Sequence, residues 1–149
     1  MAEQPAAVVR RTPWHLWVVG IFALLWSSIG CVDYLMTETH NEAYLKQFST
    51  AQLAFMAAMP AWVIAAWAIA VWGGVAGAVL LLLRRKEAVW VFLASLVAFA
   101  LTTFRNYALA NGMEVSGDAF SLAFTAVIFL LCVGFWAYSR AMARRKVLR

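Results

Sequence analysis

Residues 60–86 read PAWVIAAWAIAVWGGVAGAVLLLLRRK, a long uncharged run that ends abruptly in three cations. A helix rising about 1.5 Å per residue needs about 20 such positions to cross a hydrocarbon layer roughly 30 Å thick. A strand of a membrane barrel would alternate apolar and polar residues over about 10 positions. Neither this run nor VVGIFALLW (18–26) alternates in that way. The stretch reads as a membrane-spanning helix. Composition agrees: of 149 residues, 65% are apolar and 13% charged, too little polar surface to cover a soluble core.

Three further runs have the same character, so the expected spans are about 14–36, 60–83, 88–109 and 118–139. The fold class is therefore an all-α membrane protein, a four-transmembrane-helix bundle forming one domain over 1–149, with tails 1–12 and 140–149. Pro13 suits the start of the first helix, where a missing amide proton costs little. Gly112, after the third span, is expected to take a left-handed cap. Ser116 or Asp118 is expected to cap the fourth.

Lysine and arginine set the orientation. Arg10, Arg11, Arg84, Arg85, Lys86, Arg140, Arg144, Arg145, Lys146 and Arg149 fall on one side of a four-span topology, and only Lys46 and Arg105 on the other. This split of 10 to 2 predicts that both termini are cytoplasmic. The same basic clusters suit anionic lipid head groups rather than nucleic acid. Arg10 and Arg11 followed by an apolar run ending in SIGC (28–31) faintly resemble a leader, but the run is longer than a signal's apolar region, so a retained anchor is expected.

Between the first two spans, NEAYLKQFSTAQLAFMAA (41–58) is too polar to span and too apolar to float free. Ser49 and Gln52 form a capping-box pattern. One or two short amphipathic helices on the outer surface follow, serving either as a cap on the bundle or as a lid over a binding site.

Small residues Ala66, Ala70, Gly73 and Gly77 share one face of the second span, and Gly73 to Gly77 is a GxxxG. Such a face admits another backbone at close range, either within the bundle or in a homodimer. Of the eight tryptophans, Trp14, Trp17, Trp90, Trp62 and Trp136 lie at expected interface depths. Trp26, Trp67 and Trp72 lie deeper, either filling the core or lining a cavity. Cys31 and Cys132 differ in depth by roughly 12 Å at the helical rise, too far for a disulfide within one chain.

Arg105 lies near the outer end of the third span, and Asp33 reaches the same depth in the first. An unpaired charge costs about 2.5–3.5 kcal/mol at the bilayer centre and less at its edge. The two either pair, with Tyr34, Asn106 and Tyr107 completing a candidate polar pocket, or Arg105 snorkels to water. Glu38, His40, Glu42, Glu114 and Asp118 have no metal-motif spacing, and no phosphate loop, CxxC, nucleophile elbow or HExxH occurs. No metal, cofactor or catalytic residue is expected, and the reading leans away from an enzyme.

The stretches PWHLWVVG, DYLMT, NEAYLKQF, PAWVIAAWAIAVWGG, LLLLRRK, NGMEVSGDA and RAMARRKVLR together resemble a group of small bacterial four-helix inner-membrane proteins. Members of that group are often labelled sugar transporters, and the group is broadly similar to DoxX-like proteins. The resemblance implies the four-helix fold and a bacterial inner-membrane location. Where Arg105 stands, the group more usually carries an aromatic or small residue, so the resemblance does not extend to an Asp33–Arg105 pair. Three functions follow in order: an accessory or assembly subunit of a larger membrane complex, with a membrane-protein partner or a second copy; an oligomeric transporter of sugar-like or apolar solutes; and a DoxX-like redox-associated protein.

Overall fold

Four long apolar helices carry the architecture of the computed structural model, which describes residues 11–149. Helix α1 spans Trp14–Glu38, α4 Ala61–Leu82, α5 Ala88–Phe104 and α7 Ala119–Arg144. Each of the four is long and apolar enough to cross a membrane, α5 together with a π-helical turn, Arg105–Leu109, that continues it. The chain is an integral membrane protein built as a four-helix bundle. Short helices α2 (Glu42–Leu45) and α3 (Thr50–Ala57) fill the first connection, and α6 (Gly112–Ser116) the last. Of the tail expected at 1–12, only Arg11 and Thr12 are among the described residues.

Successive long helices are neighbours: α1 packs on α4, α4 on α5 and α5 on α7. Aromatic pairs close the ring between α1 and α7, with Phe22 6.0 Å from Phe135 and Trp26 6.3 Å from Phe124. Helices α1 and α5 therefore lie across the bundle from one another.

The α4–α5 seam is built on the small face of α4. Ala66, Ala70 and Gly77 are buried. A Cβ added at Gly77 would stand 2.8 Å from the Phe92 ring, and one at Gly73 3.2 Å from the Ser95 Cβ. Ser95 donates to the Ala70 carbonyl at 2.6 Å, a hydrogen bond between helices that only such close backbones permit. Gly74 does the same for α1, since its Cβ would meet the Ser27 Oγ at 2.6 Å. The GxxxG face thus packs within the bundle.

The connections obey local rules. Ser49 and Gln52 make the reciprocal capping box at α3, and Asp118 caps α7 by accepting from the Ser121 amide at 3.1 Å. Three helices end with a non-glycine residue in the left-handed region: His40 after α1, Arg84 after α4 and Lys146 after α7. At each, the next amide reaches back across the last turn to Met36, Leu80 or Met142, satisfying a carbonyl that the helix leaves open. Gly112 departs from expectation. Its φ is not positive, Ala110 ends the π-helical turn in extended conformation, and Gly112 opens α6. Glycine is needed there because a Cβ would collide with the Asn106 carbonyl.

The expected tail 140–149 is also not a tail. Helix α7 continues to Arg144, and Val147 and Leu148 turn back into the core, 8% and 6% exposed. The Arg149 amide donates to the Arg84 carbonyl at 2.6 Å, and the Lys86 amide to the Arg149 carbonyl at 2.8 Å. The hydrophobic core gathers at this basic end, around Leu16, Leu81, Phe92, Phe135 and Met142. Towards the other end α7 stands apart: only 6% of its apolar stretch is buried, against 22, 33 and 28% for the other three.

Candidate functional site

The polar residues singled out from the sequence lie at the end opposite the basic loops, in separate clusters. Asp33, on the last turns of α1, accepts a hydrogen bond from the Tyr44 hydroxyl. Tyr44 reaches it because Asn41 caps α2 and the Tyr44 ring packs edge-on against Phe48 at 5.7 Å. Burial, the hydrogen bond to Asp33 and its negative charge together push the Tyr44 phenol up to about 12. Tyr34 stacks edge-on against Trp67 at 5.0 Å, and the Tyr107 hydroxyl lies 3.4 Å from Thr125 Oγ1 on α7.

Arg105 opens the π-helical turn and is buried. Its guanidinium donates to Asn106 Oδ1 and to the Ala58 carbonyl, both at 3.4 Å, and lies 5.3 Å from the Phe55 ring centroid. The expected Asp33–Arg105 ion pair does not form. Among the described residues the one ion pair is Arg85–Glu87, 3.0 Å apart at the basic end, which holds the exposed Glu87 carboxyl down at about 2. Matched depth is not adjacency: α4 stands between α1 and α5, and the segment between the first two spans supplies each charge with its own neighbour. Nor does Arg105 snorkel, because α3 and the residues after it lie over it.

Of the five candidate pocket residues, the structure therefore brings together only Arg105 and Asn106. Tyr44, Phe55 and Ala58 were missed. The amphipathic pattern of 41–58 signals that this segment returns to the bundle, but a backbone carbonyl such as that of Ala58 leaves no trace in residue types.

At the basic end, His15 Nδ1 lies 2.5 Å from the Tyr138 hydroxyl, joining α1 to α7, and Arg84 donates to Thr12 Oγ1 at 2.8 Å. Arg140 lies 5.5 Å from the Trp136 ring centroid. Trp14, Trp17, Trp62 and Trp90 are exposed, as interfacial residues of a lipid-facing surface should be. Trp72 is exposed too, so it faces outward rather than filling the core, whereas Trp26 and Trp67 are half-buried. Cys31 and Cys132 are both free thiols. Among the described residues no group of three or more His, Cys, Asp or Glu side chains converges as a metal site. An open groove between α4 and α5 is lined by apolar residues including Ile69, Leu93, Val97 and Leu101. Compared with protein-family models, with curated proteins and with solved structures, the chain matches none.

Proposed function

We propose that this integral membrane protein is an accessory subunit of a larger membrane complex, and that α7 is the helix it offers to its partner. The observation that carries the reading is the uncovered face of α7. The small residues Ala119, Ala123, Ala126, Gly134 and Ala137 recur at helical spacing on one face, interrupted by Leu130, and all six are exposed. A Cβ added at Gly134 would meet nothing within 4 Å. Elsewhere in this chain small residues at that spacing are consumed by a neighbouring helix, as on α4. In lipid, helices associate through such close backbone approach rather than through a hydrophobic drive. A face of this kind without a neighbour among the described residues suits a helix from another chain.

A photo-crosslinking side chain placed at Ala126 in native membranes tests this. Capture of a distinct membrane protein supports the subunit reading. Capture of a second copy of the chain favours the oligomeric transporter, which four helices could build only by assembling. Adducts with lipid alone refute both.

The location proposed is a bacterial inner membrane with both termini cytoplasmic. The charge asymmetry supports it, as does the contact of Thr12, Arg84, Lys86 and Arg149 at one end of the bundle. The basic end would then lie against anionic head groups. Activity from a periplasm-specific reporter fused to the C-terminus would overturn that orientation.

A further inference from the structure

Arg105 is 9% exposed, and its Nε, which has no hydrogen-bond partner among the described residues, keeps an opening to the surface. A guanidinium carries five N–H donors and keeps its charge at any ordinary pH. Among the described residues it has two acceptors, the Asn106 amide oxygen and the Ala58 carbonyl, both neutral and both at 3.4 Å, beyond the usual range of a good N–H···O bond. The remaining three donors have no hydrogen-bond partner among the described residues. No carboxylate there lies within 4.0 Å of the guanidinium. The acid at matching depth, Asp33, is engaged by Tyr44. A buried cation is ordinarily paired, because its desolvation is otherwise uncompensated.

Two features shape the surroundings. The Phe55 ring lies beside the guanidinium, 5.3 Å from centroid to Cζ, close enough for a cation–π contact. The backbone at Arg105 is a π-helical turn, in which the Ala110 amide reaches back five residues to the Arg105 carbonyl at 2.9 Å. It is the terminal turn of the third span, since Ala110 leaves it in extended conformation.

We infer that Arg105 anchors an oxyanion-binding site between α3 and the π-helical turn, its ligand a carboxylate or phosphate group gripped by the guanidinium N–H donors left over. Fork-like pairing of a planar guanidinium with two oxygens is the strongest interaction open to it. Asn106, whose amide oxygen serves Arg105, retains its NH2 as a further donor to the same anion. The site lies at the end of the third span opposite the basic loops, so the two sources to be separated are a lipid phosphate and a small soluble anion. This inference is independent of the α7 face and stands or falls separately from it.

The test uses the full chain, delipidated in a maltoside detergent that carries no charged group. Dioleoyl phosphatidylglycerol is titrated in one arm and sodium phosphate in the other, and bound molecules are counted by native mass spectrometry. Wild type should hold one anion more than R105Q, with apparent affinity at that site at least tenfold weaker in R105K, which keeps the charge but not the fork. The variant R84Q/R85Q, changed at the opposite end, should keep this site. Saturation in the lipid arm identifies a head group as the source, and saturation in the phosphate arm a soluble anion. Should R105Q fail to fold, the Arg105 side-chain nitrogen resonance of wild type gives the answer directly, since it must shift with one of the two probes. Equal binding by wild type, R105K and R105Q in both arms overturns the proposal, as does a resonance that neither probe moves.

Discussion

Replacing Gly77 by alanine adds one carbon where the structure has no room for it. That carbon would stand 2.8 Å from both Cδ1 and Cε1 of Phe92 and 3.0 Å from Cγ. Phe92 cannot easily retreat, being 3% exposed and packed 5.8 Å from the Phe135 ring. Overpacking of this kind costs about 1–3 kcal/mol. Alanine recovers about 0.8–1 kcal/mol of helix propensity relative to glycine, so Gly77→Ala should destabilise by about 1 kcal/mol net and Gly77→Leu by considerably more. At about 2–4 °C per kcal/mol for a chain of this size, the midpoint of thermal unfolding in mild detergent should fall by a few degrees for alanine. Gly134→Ala is the internal control. With nothing within 4 Å of the added carbon, it gains propensity without strain and should leave the midpoint unchanged or slightly higher. Combining Gly77→Ala with Phe92→Leu should cost less than the sum of the two, by about 0.5 kcal/mol or more, because the residues touch. An unchanged midpoint for Gly77→Leu would mean that this face of α4 does not meet α5, and an equal loss at Gly77 and Gly134 would mean that helix backbone effects, not packing, decide.

Asp33→Asn and Arg105→Gln should be additive within about 0.5 kcal/mol in unfolding experiments, because the two side chains have separate partners; a coupling well above that would restore the ion pair. Deleting Val147, Leu148 and Arg149 should lower stability by about 1–2 kcal/mol, the burial of two apolar side chains less the entropy of ordering the segment, and an unaltered denaturation curve would show the docked end to be dispensable. The Tyr44 phenol, raised to about 12 in the folded chain, lies above its usual value of about 10. Its contact with Asp33 should therefore be fully present below about pH 10 and lost as pH rises towards 12. Absorbance titration should show the highest-pH tyrosinate step disappear in Tyr44→Phe; a step that survives the substitution belongs to another tyrosine.

What residue types alone determine here is how far each part of the chain can be from water. Transfer into hydrocarbon is close to a sum over residues, so twenty-odd uncharged positions ending at Arg84, Arg85 and Lys86 define a spanning helix whatever its neighbours are. Capping is equally local, and Ser49 with Gln52, or Asp118 with Ser121, form as their spacing requires. The small face of α4 was legible for the same reason, since Ala66, Ala70 and Gly77 can serve only a close neighbour. Which neighbour is a different matter. The lateral order α1–α4–α5–α7 follows from the summed packing of four helices, and no residue type encodes it. That order separates Asp33 from Arg105 although their depths agree, and gives one a phenol and the other a peptide carbonyl. Depth is a property of one helix. Pairing, the return of Val147 and Leu148 into the core, and the uncovered face of α7 are properties of several elements at once, and only the tertiary structure decides them.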